Sequence, residues 1–222
     1  MNPKVQIPRL KKHLEWLLYQ AIVTRQTFNA TYAVGKMLYK TEVLLTYGDY
    51  FSYSQSIMIE NVQLQLSKMY EHNKQSYTIP TIIENSIKIF SLKYYEEVSH
   101  SAQASYSDCV NKLKNLKVKL DELNDPINHL KKIRDINLAH LDKSIDTLDK
   151  LEDVQNSNPI YLIETKKLID FAVSCLTTIK LIMFNIDTHV HNREYENELN
   201  EIAKAIAEYQ QSGNLIKNYG QV

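Results

Sequence analysis

Cys109, Leu113, Leu116, Leu120 and Leu123 recur at intervals of four, three, four and three residues. That alternation lines one stripe of an α-helix, as in a helical hairpin or coiled-coil seam, whereas a strand alternates its faces every second residue. The stripe stops at Asn124-Asp125-Pro126, where Asp125 suits a helix N-cap and Pro126 the first helical position. Leu123 and Ile127 flank a turn so short that the two helices are expected to pack antiparallel. Four glycines and five prolines in 222 residues are too few for a many-stranded sheet with tight turns. The expectation is an all-α, up-and-down bundle with long antiparallel helices.

A first helix is expected after Pro8, through Leu10, Leu14, Leu17, Leu18, Ala21 and Ile22, with Trp16 beside this face to seal it against a neighbour. The pattern weakens from Thr27 to Tyr32 and resumes from Lys36 to Leu45. Tyr47-Gly48-Asp49 reads as a break with Asp49 as the next N-cap, and a long helix follows with Tyr50, Ile57, Val62, Leu64, Leu66, Met69 and Tyr70 apolar. Thr78-Ile79-Pro80 is a helix entry, with Ile79 as cap if Pro80 takes the first position. Asn158-Pro159 opens a helix from about Ile160 to Asp187. Arg193 to Gln211 forms a last amphipathic helix, using Leu199, Ile202, Ala203, Ile206 and Tyr209, and the tail from Ser212 frays. Three regions follow: an N-terminal segment packed on the bundle (1–48), the helical core (49–190), and a C-terminal helix with its tail (191–222).

Twenty-six Lys and Arg balance twenty-six Asp and Glu, which argues against a general polyanion binder but leaves room for a local basic patch. Cys109 and Cys175 lie far apart without metal-ligand spacing, so both are expected as reduced core thiols. Met1 to Lys12 has no signal-peptide core, and the most apolar stretch, Leu168 to Ile186, contains Asp170, Ser174, Lys180 and Asn185. A cytoplasmic protein without membrane association is expected. His189-Val-His191 has poor metal spacing on a helix, and there is no Gly-rich phosphate loop, His-Glu-x-x-His or serine-triad motif. No metal and no cofactor is expected.

The most pointed chemistry lies in Lys131 to Asp142. Treated as one continuous helix, this region carries an apolar stripe of Ile127, Leu130, Leu138, Leu141, Ile145 and Leu148. Arg134 projects near the middle of that stripe, and Asn137 lies on it too. A guanidinium keeps its charge, so a core-facing one needs an anion or a solvated site. His140, a proton carrier near neutral pH, follows six positions later.

The run Arg134-Asp-Ile-Asn-Leu-Ala-His140 resembles the Arg-x(4–6)-His motif of the HEPN superfamily, and Ala139-His140-Leu141-Asp142 resembles its abortive-infection branch of the AbiU type. The resemblance extends over roughly Asp49 to Asn185. It implies a HEPN-like helical core and a metal-independent endoribonuclease acting in phage defence or as a toxin. Arg134 and His140 would be the catalytic pair, in a cleft formed where two copies meet. RNA would be the substrate, and an antitoxin or regulatory protein a further partner. In a related branch the motif carries His-x-Tyr, whose tyrosine is modified by a partner nucleotidyltransferase; here Asp142 stands at that position.

Such cleavage uses the RNA 2′-OH as nucleophile, so it needs a proton carrier and a cation on the phosphorane. His140 suits the first task and Arg134 the second. On one ideal helix the two residues are about 9 Å apart along the axis and ~120° apart around it. One rigid helix therefore grips a phosphate poorly; two motifs facing each other or a bend near His140 would remove the difficulty, and with the composite cleft that the resemblance implies, a homodimer is expected. Asp135 and Asp142 are supporting candidates: Asp135 orients Arg134 or His140, or pairs with Lys131; Asp142 positions His140 or caps a turn. Asn137 binds a nucleotide or satisfies groups around Arg134. Lys112, Lys114, Lys117 and Lys119, with Lys131 and Lys132, either track an RNA backbone or form a solvated face; Lys117, Lys131 and Lys132 are the RNA-binding candidates. Tyr32, Tyr39, Tyr47, Tyr50, Tyr53 and Tyr70 read as core and interface residues rather than base-stacking ones. A non-catalytic HEPN module binding a nucleotide or a protein is the alternative, and a helical bundle with a coincidental motif is the plainest one.

Overall fold

The computed structural model describes residues 3–38, 40–41, 44, 46–72, 76–98, 104–138 and 160–211. Among these residues the chain forms eight helices and no strand: α1 (Pro3–Leu38), α2 (Gly48–Met69), α3 (Ile79–Ile89), α4 (Leu92–Glu97), α5 (Tyr106–Asp121), α6 (Asn124–Leu138), α7 (Leu162–Phe184) and α8 (Glu196–Gln211). The all-α expectation holds. None of the described helices is long and apolar enough to cross a membrane.

α1 differs from its expected form. It starts before Pro8, which lies inside it, and it runs unbroken through Thr27 to Tyr32. Buried Thr24 and Thr31 each donate a hydroxyl hydrogen bond, 2.8 Å long, to the carbonyl four residues back, at Gln20 and Thr27. The hydroxyls are thereby satisfied inside the helix, so a polar stretch need not end it. Trp16 does not seal a face, for it is 59% exposed. Asp49 lies in the first turn of α2 rather than at its cap, where its carboxylate still faces the positive end of the helix. Thr78, not Ile79, caps α3.

The contacts divide the chain into two compact units, Met1–Arg25 with Val62–Val190, and Gln26–Asn61 with His191–Val222. In the first unit α7 carries the most buried residues: Leu168, Ile169, Ala172, Val173, Cys175, Leu176, Ile179, Ile182 and Met183, with Thr165. It packs against α3, α5 and α6, and α5 makes its most extensive packing with α3. Of the 4-3-4-3 stripe, Cys109, Leu113, Leu116 and Leu120 are buried and Leu123 is half-buried. Asp170, the charge that interrupts the apolar run of α7, is paired with Arg25 at 3.0 Å and Lys166 at 2.6 Å. The helix stops before the expected Asp187 because Asn185 takes a left-handed conformation (φ 53°), which its short polar side chain tolerates. Both cysteines are buried and free, and burial pushes both thiols to higher pKa, so neither offers a ready thiolate.

The second unit has a smaller core of Val34, Met37, Leu38, Leu44 and Ala203, with Phe51, Met58 and Leu199 against it. Polar ties supplement it. Lys36 reaches both carboxylate oxygens of Glu196 at 2.6 and 2.7 Å, and the Asn29 amide donates to the side chain of Asn192 and the carbonyl of Arg193. The Gln55 amide donates to the Thr31 carbonyl and lies against Gly35, where a Cβ would stand 2.2 Å from its nitrogen. α8 buries only Ala203; Ile202 and Tyr209, expected on its apolar face, are about half exposed.

Candidate functional site

The site is built on α6. Ile127 and Leu130 are 2% and 1% exposed, which fixes the inward face of that helix. Arg134 falls seven residues after Ile127 and four after Leu130, on the same side of the helix. Its side chain keeps 20% of its surface, so the long aliphatic stem is covered while the head reaches the edge of the core.

Two carboxylates hold that head. Arg134 Nε and Nη2 donate to Asp135 Oδ1 at 3.0 and 2.8 Å, and Nη1 faces Glu71 Oε1 at 3.3 Å. The hydrogen bonds to Asp135 raise the guanidinium pKa; burial opposes this, and the charges of Asp135 and Glu71 raise it further. Arg134 is therefore a fixed cation, suited to holding an anion and unsuited to moving protons. A guanidinium has five N–H donors. Two carboxylates engage donors on all three nitrogens, and among the described residues no further partner meets the remaining donors.

Glu71 does not figure in the sequence reading. It follows directly on Tyr70, whose side chain is wholly buried and donates a 2.6 Å hydrogen bond to the Leu168 carbonyl on α7. Burial pushes the Tyr70 phenol well above its usual pKa, so it remains a neutral donor. This anchor pins the C-terminal end of α2 to the central helix and sets Glu71 beside Arg134. The only signal in the sequence was an aromatic residue ending an amphipathic helix.

Of the other candidates, Asp135 is exposed on α6 and binds Arg134 rather than Lys131. Lys131 is half-buried and Lys132 exposed on the same helix, while Lys117 is exposed on α5. Asn137 belongs to the last turn of α6, with its side chain outside the described part. His140, Asp142 and Tyr39 lie outside the described residues, as do Asn158 and Pro159, but the helix expected from about Ile160 starts at Leu162, with Tyr161 as its cap. Among the tyrosines read as core and interface residues, Tyr70 is buried, whereas Tyr50 and Tyr53 are 69% and 68% exposed. Residues 185–195 form no helix, so the expected helical geometry of His189 and His191 does not arise; His189 Nε2 faces Asp187 Oδ2 at 3.5 Å. Among the described residues no group of three or more His, Cys, Asp or Glu could hold a metal ion.

A family model described as AbiU2, of the HEPN type, matches residues 7–206, a span that includes Glu71, Arg134 and the whole motif through Asp142. Comparison with curated proteins and with solved structures gives no match.

Proposed function

The chain belongs to the AbiU2 family of HEPN proteins, and on that premise we propose that it is a metal-independent endoribonuclease of abortive-infection defence, acting against phage or as a toxin. The observation that carries this reading is Arg134: a permanent cation on the inner face of α6, held at the core edge by Glu71 and Asp135, with donors left unpaired among the described residues.

In this mechanism a phosphodiester enters beside Arg134, whose guanidinium takes two non-bridging oxygens and stabilises the extra charge of the phosphorane. His140 takes the proton from the 2′-OH as that oxygen attacks phosphorus. The P–O5′ bond breaks, and the leaving oxygen receives a proton from an imidazolium, which leaves a 2′,3′-cyclic phosphate and a 5′-OH. Residues six apart on a helix differ by ~120° in direction. The pair is accordingly assigned to a homodimer, with motifs from two copies around one phosphate. Asp135 and Glu71 are positioning residues that keep the guanidinium from collapsing into solvent.

Expression in a bacterial host tests the assignment. The wild-type chain is expected to arrest growth, and Arg134→Ala and His140→Ala to abolish the arrest at equal protein levels. Arrest persisting in both variants overturns it. A monomer by sedimentation at micromolar concentration counts against the composite site.

The contacts of Arg134 also favour a second reading. A guanidinium held between two carboxylates can also serve packing alone, in a non-catalytic HEPN module that binds a nucleotide or a protein. Retained dimerisation without toxicity and without RNA cleavage would select that reading.

A further inference from the structure

The four lysines of α5 do not form one line. At about 100° per residue, Lys114 and Lys117 share one side of the helix, while Lys112 and Lys119 lie roughly 140–160° away from Lys114 and share another. Lys112 acts electrostatically on Asp108, one turn earlier, and helps hold its carboxyl below the usual range, after the hydrogen bonds from Ser105. Lys114 and Lys117 instead meet a third lysine from a different helix. Together with Lys88 on the last turn of α3, and with Glu84 and Ile87, they line an open groove of about 310 Å³.

Two features set this groove apart from an ordinary solvated face, and a third leaves its charges open to a ligand. First, the cations converge from two helices that pack extensively on each other, so the walls are rigid. Second, the lining carries three positive charges against the single negative charge of Glu84, in a chain whose overall charge is zero. Third, Lys88, Lys114 and Lys117 make no ion pair among the described residues, although Glu84 stands four residues before Lys88 in the favourable order for a helix pair. Lys112 and Lys119, on the other side of α5, make none there either, so the convergence from two helices is what marks the groove.

We propose that this α3–α5 groove is a docking track for the phosphate backbone of single-stranded RNA, separate from Arg134 and reading no sequence. The ligand class rests on the ribonuclease reading; the geometry supplies the track. Lys114 and Lys117 stand about 4.5 Å apart along the axis of α5, and flexible ammonium groups at that spacing reach successive phosphates of one strand from one wall. Lys88 closes from the other. Sharing one groove of this size, the three charges act jointly on a bound strand, since screening at physiological salt extends over about 8 Å. A mononucleotide would meet too few of them at once to be held. A longer strand gains from each.

The test uses the full chain and a fluorescently labelled 2′-O-methyl oligoribonucleotide of mixed sequence, which lacks the attacking 2′-OH and so reports binding without cleavage. Two variants remove equal charge from the same helix: K114Q/K117Q and K112Q/K119Q. By anisotropy at low salt, the first is expected to weaken binding about tenfold or more, and the second by less than about twofold. The dependence of log affinity on log salt should flatten by about 1.4 in the first, since each phosphate contact to a single strand contributes roughly 0.7. K88Q alone should flatten it by about half as much. Equal losses in the two double variants, no loss in either, no binding by the wild type, or equal competition by polyglutamate overturns the track. The ribonuclease reading fails separately, if Arg134→Ala still cleaves unmodified RNA while binding remains groove-dependent. Loss of cleavage at Arg134 with lysine-independent binding refutes the track and leaves the nuclease standing.

Discussion

The two compact units are held together by different means. Around α7, nine apolar side chains of that one helix are buried, and the charged Asp170 is neutralised by two cations. Around α8, five buried apolar side chains form a smaller core to which α8 itself gives one alanine, and an ion pair and several side-chain amide hydrogen bonds connect the elements. Burial is largely insensitive to salt and is lost in large steps when a methylene is deleted; exposed ion pairs are screened and individually weak. The first unit should therefore be a rigid platform, suited to holding Arg134 in one place. The second should open more readily.

The sharpest way to break that contrast is Leu176→Ala on α7, where the side chain is 0% exposed. It should cost about 2–5 kcal/mol and lower the urea midpoint, with hydrogen exchange rising across α3, α5, α6 and α7. A change confined to α7 would mean that these helices do not share one core. Glu71→Gln comes next. Without that carboxylate Arg134 is held from one side only, and RNA cleavage should fall roughly tenfold, about 1.4 kcal/mol in the barrier, at near-wild-type stability. An equal fall in stability would make Glu71 a packing residue. Tyr70→Phe removes the hydrogen bond to the Leu168 carbonyl and should cost about 1 kcal/mol, with a smaller loss of activity through Glu71.

Acidification probes the same unit. His13 stacks on Tyr77 with ring centroids 3.3 Å apart, and its pKa is lowered by burial first, then by Arg9 and Lys12. The unfolded chain thus takes up the proton more readily than the folded one. The contribution of His13 to stability should be constant above the usual histidine value of about 6.5 and fall as pH drops below it. His13→Phe should flatten the slope just below that value; an unchanged slope would assign the loss to other groups. The smallest effect is expected in the second unit. Lys36→Ala should raise hydrogen exchange in α8 at low salt and do little at high salt, where its pairing with Glu196 is already screened.

How much of this was legible in the sequence differs from element to element. α5 was legible almost residue by residue, because its stripe is narrow and its polar face wide. α7 was legible as a helix, and its end was missed by a few residues because the left-handed Asn185 leaves only a weak mark. The spacing that included Tyr50 and Ile57 identified a helix correctly yet not their environment, since periodicity shows which residues share a face and not whether another element covers it. In α1 the threonine-rich stretch looked like a break, because back-bonding to a carbonyl four residues earlier has no signature in spacing. Arg134 stood out as a charge on an apolar face. Its partner Glu71 could not, because that contact depends on how α2 and α6 are placed on α7. The convergence of Lys88 with Lys114 and Lys117 was hidden in the same way.

The proposed activity is RNA cleavage by Arg134 and His140 without a metal ion. Its most direct test is incubation of end-labelled RNA with purified protein in EDTA, followed by analysis of the product ends. The wild-type chain should yield 2′,3′-cyclic phosphate and 5′-OH ends, and Arg134→Ala and His140→Ala should yield none. Products with 5′-phosphate ends, activity that EDTA abolishes, or cleavage undiminished in both variants would contradict it.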